Sequence, residues 1–356
     1  MSDMLATGGA ERCAALLSNY FHKNNCKVHH VIVQDHVEYE FSGELLNLGK
    51  LKNDNDLDVF NRFKRVSVLY SFFRKNKFDF IIDFRVRSSQ WQEFLITKFI
   101  YNAPLIVSIR SYMIELYFPK NKLLANTIYK KSKKIITVSK LIEDKVRNEY
   151  SYNQLQTLYN PIDFDSVENL SNEVLKLDFE YVLAAGRMND EVKQFGKLIE
   201  TYAASELPSK NIKLVLLGDG ILKQKYQDQV NKLKLQEMIC IEGKVNNPFK
   251  FMKNAKVLLL TSKNEGFPNV VLEALACGTP VIAFDCESGP REIIENNQNG
   301  VLVENQNFEA FKVSMNGMIS NNELYLHCKK NAKNSVVQFS LENIGNQWLQ
   351  LFKELN

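Results

Sequence analysis

Glu265 and Glu273 stand eight positions apart in NEGFPNVVLEALACGTPVI, the stretch of this chain best equipped for chemistry. The run before them, Lys256 to Ser262 (KVLLLTS), is continuous, apolar and of strand length, which puts Glu265 just past the C-terminal end of a strand. Open α/β sheets bind their ligands at that edge. Pro268 suits a first helical turn and Gly278 with Pro280 makes a stop, so the spacing predicts a helix of about ten residues ending at Cys277, followed by a strand over Val281–Phe284. From Val270 to Cys277 every position but Glu273 is apolar, and a carboxylate on a buried helix needs a polar partner or a shifted pKa. The start of that helix, around Phe267, Pro268 and Asn269, offers unpaired amides and the positive end of a dipole, which suit a diphosphate. On spacing alone, a buried helix whose Glu is favoured near that positive end is an equal reading.

Cations at other predicted strand ends fit the same chemistry. Arg187 follows the strand Val182–Ala185 and Lys193 follows a short acidic loop; the two would either neutralise a diphosphate or pair with Asp190 and Glu191 in solvent. Thr7-Gly8-Gly9-Ala10-Glu11-Arg12 opens an amphipathic helix, where a glycine pair either admits a ligand close to the backbone or makes a plain turn. Arg110 lies just beyond the strand Leu105–Ile109, at a C-terminal edge.

The string around the two carboxylates resembles the E-x7-E signature of retaining glycosyltransferases of family 4, and Gly8-Gly9-Ala10-Glu11-Arg12 resembles that family's GGAER loop. The resemblance implies that Glu265 contacts a donor sugar, that Glu273 holds the ribose of a nucleotide, and that Gly266, Phe267, Pro268, Asn269 and Val270 approach its diphosphate. It also puts Arg187 and Lys193 on the leaving diphosphate, Gly8 and Gly9 across a cleft from it, and Arg12 and Arg110 toward the acceptor. Asp285, Cys286 and Ser288-Gly289-Pro290 with Glu292 look like members that use UDP-hexoses or UDP-N-acetylhexosamines to build surface glycans. A UDP-sugar donor, a lipid-linked or oligosaccharide acceptor, and no metal or other cofactor follow from the resemblance, as does retention through a front-face path in which the leaving phosphate accepts the proton. No catalytic base is assigned. A UDP-sugar epimerase or hydrolase on the same fold, or a silent sugar-nucleotide-binding subunit, are the competing functions.

These residues need a scaffold of alternating strands and helices. Val28–Val33, Phe80–Asp83, Leu105–Ile109 and Ile135–Val138 are predicted strands with a helix over Val66–Phe73 among them, and Leu214–Leu217 with Gly218-Asp219-Gly220 is a further strand and turn. The alternation predicts an α/β chain with parallel sheets. The resemblance covers nearly the whole length, strongest over 256–303 and weakest over 27–104, and implies GT-B, two Rossmann-like domains facing a central cleft. Its segments are 1–163, ending at the turn Tyr159-Asn160-Pro161-Ile162-Asp163; 164–338, binding the nucleotide sugar; and 339–356, a helix with the stripe Ile344, Trp348, Leu351 and Phe352 that crosses back to the first domain.

At 356 residues and 45% apolar content the chain suits two domains. Residues 1–163 hold 24 Lys+Arg against 17 Asp+Glu, or +7, which leaves −3 for the rest. Part of that surplus, Arg62, Lys64, Arg65, Arg74, Lys75 and Lys77 among Phe63, Tyr70, Phe72 and Phe73, either completes helix ends or meets an anionic membrane surface; Lys130, Lys131, Lys133 and Lys134 also precede a strand. No nucleic-acid partner is implied. Six cysteines without C-x-x-C or zinc spacing predict reduced thiols. With no spanning-length apolar run and no signal-peptide pattern, the expected location is cytoplasmic, either free or peripheral on the inner face of the membrane. A strand of about six residues is expected before Gly8, yet MSDMLA is short and polar, so the sequence points to a start upstream of Met1 and to unpaired groups on the neighbouring strands.

Overall fold

The computed structural model of the chain describes residues 1–52, 59–87 and 89–355. They form two compact units, Met1–Pro161 with Leu341–Asn356, and Ile162–Ser340. The first contains β1 (His29–Ile32), β2 (Glu44–Asn47), β3 (Ile81–Asp83), β4 (Leu105–Ile109), β5 (Lys134–Thr137) and β6 (Leu155–Thr157). β3-β4-β5-β6 is one parallel sheet and β1-β2 a parallel pair. Ile106, Val107, Ile109, Ile135 and Ile136 are buried, as strands covered on both faces require.

Met1–Leu5 runs between β1 and β3 without forming a strand of its own. The Met1 amine donates to the Ile82 carbonyl at 2.9 Å, Phe84 N donates to Met1 O at 2.9 Å, and Ser2 N donates to Val31 O at 3.0 Å. The segment expected to be too short and polar for this place therefore satisfies main-chain groups on both neighbours, with Ser2, Leu5 and Ala6 buried. A pocket of about 430 Å3 lies between the same two strands, lined by His30, Phe73, Phe78 and Ile81 among others.

The amphipathic helix Gly9–Lys23 packs against the helix Leu341–Leu355, which belongs to the first unit. Cys13, Leu17 and Phe21 meet Ile344, Trp348 and Leu351 in one buried cluster. A side chain in place of Gly345 would collide with the Tyr20 ring, its Cβ 2.3 Å from Cδ1, so glycine sets how closely these helices approach. Methionine or leucine at 345 would separate them; Gly345→Ala is expected to destabilise the protein by about 1–3 kcal/mol, the usual range for overpacking, and a urea midpoint equal to that of the unaltered protein would remove this account.

Past the end of β3 lies a buried charged cluster that sequence inspection passes over. The Asp83 carboxylate accepts from Arg85 Nε at 3.0 Å and Nη2 at 2.8 Å and from Tyr101 Oη at 2.9 Å, while Arg85 Nη2 also reaches Glu93 at 3.0 Å. Arg87 joins it, donating to the Asp83 carbonyl at 3.1 Å, and all four charged side chains are buried. Burial by itself would raise the Asp83 pKa, but Arg85 and Arg87 outweigh it and hold the carboxyl well below its ordinary range.

The second unit contains β7 (Tyr181–Ala185), β8 (Lys213–Leu217), β9 (Ile239–Gly243), β10 (Leu258–Leu260), β11 (Val281–Phe284) and β12 (Gly300–Val303). They make one parallel sheet in the order β12-β11-β10-β7-β8-β9. The chain winds outward from β7 through β8 to β9, then returns to the other side of β7 for β10, β11 and β12. The winding reverses between β7 and β10, and loops leaving those two strands must part there, opening a crevice at the C-terminal edge. The run Lys256–Ser262 contributes only Leu258–Leu260 to the ladder; Thr261 and Ser262 have already turned into that edge.

Candidate functional site

Lys193 and Glu265 meet at the reversal point. Lys193 leaves β7 by the loop 186–194, Glu265 leaves β10, and Lys193 Nζ donates to Glu265 Oε1 at 2.5 Å with both side chains mostly covered. The pairing of Lys193 with the acidic loop is thereby set aside. Glu191 binds Lys225 at 2.6 Å instead, and Asp190 accepts from the amide of Val192 at 2.9 Å.

Backbone contacts fix both partners. Val192 O accepts from Lys263 N at 2.8 Å, Lys193 O accepts from Thr261 Oγ1 at 2.9 Å, and Gln194 Nε2 donates to Thr261 O at 2.7 Å. Gln194 takes a positive φ of 55° to close this loop onto β10, although it is buried and carries a side chain. The aliphatic part of Lys193 lies over Gly186, where an added Cβ would stand 3.1 Å from its carbons. Gly218, with φ +145°, is packed so closely behind the same loop that a Cβ would be 1.8 Å from the Gly186 carbonyl oxygen. The glycines after β8 thus serve to bring that turn against the loop carrying Arg187 and Lys193.

The loops after β10 and β11 are joined in the same way. Glu265 N donates to Glu287 O at 3.1 Å, Ser288 Oγ donates to Gly266 O at 2.7 Å, and Gly289, at φ +96°, lies where a Cβ would be 2.5 Å from Pro268 Cδ. This seating aims the helix Asn269–Ala276, which starts one residue after Pro268. Its N-terminus has no side-chain cap, and among the described residues the Val270 amide has no acceptor. Glu273 sits one turn along, 8% exposed, among the buried Val271, Leu272, Ala274, Leu275 and Ala276. Arg187 is exposed at the end of β7, with no carboxylate partner among the described residues. Loops after β7, β8, β10 and β11 therefore gather Arg187, Lys193, Glu265 and the start of the helix at one sheet edge.

Cys286 lies against this group. Burial pushes its thiol up to about 12, with the Glu265 carboxylate adding to the rise and Lys193 opposing it, so it is a protonated filler rather than a nucleophile. Arg291 binds Asp285 through two bonds of 2.8 and 2.6 Å and so holds the β11 loop. Gln194 and Thr261, which share this positioning with Ser288, carry no sequence signal except that each lies within a few residues of a strand end.

In the first unit, Gly8 caps the helix Gly9–Lys23 with an ordinary φ of −118°. The Glu11 carboxylate folds over it, its Oε2 1.9 Å from where a Cβ at position 8 would stand, a contact that rotation of the Glu11 side chain relieves, so neither φ nor packing demands glycine there. Arg12 is on the first turn of that helix. Arg110 is occupied within its own unit: it donates to Ser108 Oγ at 3.2 Å and to Asn160 Oδ1, and it lies 5.1 Å from the Phe84 ring centroid. The six cysteines are all free thiols. No helix among the described residues is long and apolar enough to cross a membrane.

Residues 7–166 match the family model described as Glycosyltransferase Family 4, and residues 166–335 match the one described as Glycosyl transferases group 1. Among curated proteins, an N-acetylgalactosamine-N,N'-diacetylbacillosaminyl-diphospho-undecaprenol 4-alpha-N-acetylgalactosaminyltransferase of Campylobacter jejuni is 32% identical over 65% of this chain and 62% of its own length. The amylovoran biosynthesis glycosyltransferase AmsD of Erwinia amylovora is 24% identical over 96% of this chain and 95% of its own. The first three curated relatives are matched over 62%, 51% and 60% of their length. Among solved structures, a glycosyltransferase from Rickettsia africae superposes with a TM-score of 0.78 at 19% identity, covering 99% of this chain and 97% of that one. Anabaena HepE, solved in complex with UDP-glucose, gives 0.76 at 18% identity over 99% and 100%. At such identities the likeness shows the fold, which is GT-B.

Proposed function

The chain belongs to the glycosyltransferases, family 4 over its first half and group 1 over its second, and from that premise we propose that it moves a hexose or N-acetylhexosamine from a UDP-sugar to a hydroxyl of a lipid-linked glycan, with retention, in surface-polysaccharide synthesis. One observation carries the site assignment: the Lys193–Glu265 pair stands at the point where the winding of the second unit's sheet reverses. Relatives whose names specify an undecaprenol diphosphate acceptor or lipopolysaccharide, and a neighbour solved with UDP-glucose, support the substrate classes.

In this reading Glu265 takes a hydroxyl of the donor sugar, Glu273 the ribose, and the main-chain N–H groups of Phe267, Asn269 and Val270, with Pro268 setting their turn, the diphosphate. An ammonium has three donors, so Lys193 remains anchored to Glu265 while offering others to phosphate oxygens. Arg187 joins it from the start of the same loop. These cations and the helix end stabilise the charge that builds on the departing diphosphate, while Glu265 steadies the oxocarbenium-like sugar. Charge neutralisation of this kind invokes no metal, and activity is expected to survive EDTA unchanged. Arg12 and Arg110 are the candidate acceptor contacts, Arg110 being held at the β4 edge by Ser108 and Asn160.

A screen of UDP-sugars against lipid-linked acceptors, with the product linkage determined, tests the reading; hydrolysis or epimerisation alone with every acceptor would overturn it. Glu273→Gln is expected to weaken UDP binding by about 1.5–3 kcal/mol, the scale of a hydrogen bond to a charged acceptor. Calorimetric titration gives the answer directly, and unchanged affinity in a folded variant would remove the ribose role.

A further inference from the structure

The first unit presents two aromatic stripes to solvent on helical segments packed against one another. On the helix Val59–Lys75, Phe60 (86% exposed), Phe63 (69%), Val66 and Tyr70 recur at helical spacing. On the turns from Gln90 to Ile100, Trp91 (71%), Leu95 and Phe99 (60%) recur every fourth residue, and Leu123 (79%) begins the adjoining helix Lys122–Tyr129. Large apolar side chains scattered singly over a surface are ordinary; this many on neighbouring helices are not. The first helix bears no acidic residue, and exposed Arg62, Lys64, Arg74, Lys98, Lys120 and Lys122 surround the stripes. Arg74 lies 4.9 Å over the Tyr70 ring, covering aromatic surface while its charge stays accessible. Even with Asp54, Asp56 and Asp58 counted from the sequence, the run 54–77 has six cations against three anions. On 90–100 the one carboxylate, Glu93, is buried and neutralised by Arg85.

We propose that this face rests on an anionic lipid bilayer, its aromatic side chains entering the headgroup region and its lysines and arginines meeting lipid phosphates. Aromatic and aliphatic side chains on one face with cations beside them are what an interfacial helix uses to lie in the plane of a membrane. The second stripe, Trp91–Leu95–Phe99, extends the contact beyond the basic run 62–77 and adds apolar area that salt does not screen. The proposal stands apart from the donor and acceptor assignments, since it concerns neither carboxylate of the nucleotide-sugar site.

The chain carries its own probe. Of its two tryptophans, Trp91 is exposed and Trp348 is buried at 1%. The protein is expected to float with vesicles of phosphatidylcholine containing phosphatidylglycerol, at least about tenfold more tightly than with phosphatidylcholine alone, since anionic lipid attracts the cations. Brominated acyl chains should then quench tryptophan emission, and Trp91→Phe should abolish that quenching while leaving flotation intact. Trp91→Ser/Leu95→Ser/Phe99→Ser and Phe60→Ser/Phe63→Ser/Tyr70→Ser should each lower binding by about tenfold or more with the urea midpoint unmoved, because the side chains removed are exposed. Absence of flotation, flotation undiminished in both triple variants, or stripe variants that alter only self-association in sedimentation would each overturn the proposal, the last by making the face a protein contact.

Discussion

Glu265→Ala is expected to transfer sugar at least about a hundredfold more slowly than the unaltered protein while its affinity for UDP changes by no more than a few-fold. The size follows from removing a preorganised electrostatic partner of the reacting centre, a loss of about 10²–10³ in turnover. The asymmetry between turnover and binding follows from position. Glu265 lies after β10, is held by its amide to Glu287 O, and carries its charge against Lys193, whereas the nucleotide is assigned to Glu273 and the helix start. Removing Glu265 also frees Lys193 to bind diphosphate oxygens more closely, so UDP affinity should stay level or rise. Steady-state rates with the cognate donor, set beside calorimetric titration of UDP, separate the two effects. Equal losses in both would show that Glu265 serves nucleotide binding or loop structure; Glu265→Gln, which keeps the size without the charge, distinguishes those two.

Asp83→Ala is expected to be the most destabilising single change in the first unit, at about 3–5 kcal/mol, the usual cost of stripping one partner from a buried ion pair. That is a large share of a domain's total of about 5–15 kcal/mol. The substitution leaves Arg85 and Arg87 charged and buried, with Tyr101 Oη losing its acceptor. Asp83's contribution also has a defined pH sense. Its carboxyl is depressed in the folded state, so the stabilisation is complete above the ordinary value of 3.8 and is lost as pH falls below it. Glu93 works the other way, because burial raises its pKa. Urea titrations at neutral pH and at pH 3 test both points: a loss under about 1 kcal/mol at neutral pH would mean the cluster is not the dry network its geometry describes.

What could be seen in the sequence depended on whether a pattern was local. Leu105–Ile109 and Val281–Phe284 are strands over the predicted residues because a short, almost wholly apolar run that follows a proline and ends at a charge leaves one solution. The helix start at 268–269 was marked by its proline in the same way. β2 (ELLN) is partly exposed and has a charge at its first position, so nothing in its own residues distinguishes it from a loop; pairing with β1 makes it a strand. The cluster at β3 was missed for a related reason. Asp83, Arg85 and Arg87 alternate with Phe84 and Val86 as a solvated strand end would, and only distant Glu93, Tyr101 and Tyr129 make the position dry. At the site, strand-end positions for Arg187, Lys193 and Glu265 were legible, but the pairing was not. Asp190 and Glu191 are Lys193's neighbours in sequence, and it is the order of β7 beside β10 that substitutes Glu265 for them.

Unit two is one uninterrupted length of chain, Ile162–Ser340, whereas unit one is assembled from two lengths separated by all of it. During synthesis the ribosome therefore releases a self-sufficient second unit while the first still lacks Ile344, Trp348 and Leu351, leaving Leu17 and Phe21 without their cover. The usual vectorial order, in which the N-terminal domain matures first, is inverted here: a nascent chain halted after residue 340 should hold a folded second unit and an open, chaperone-prone first one, closed only when 341–355 emerge.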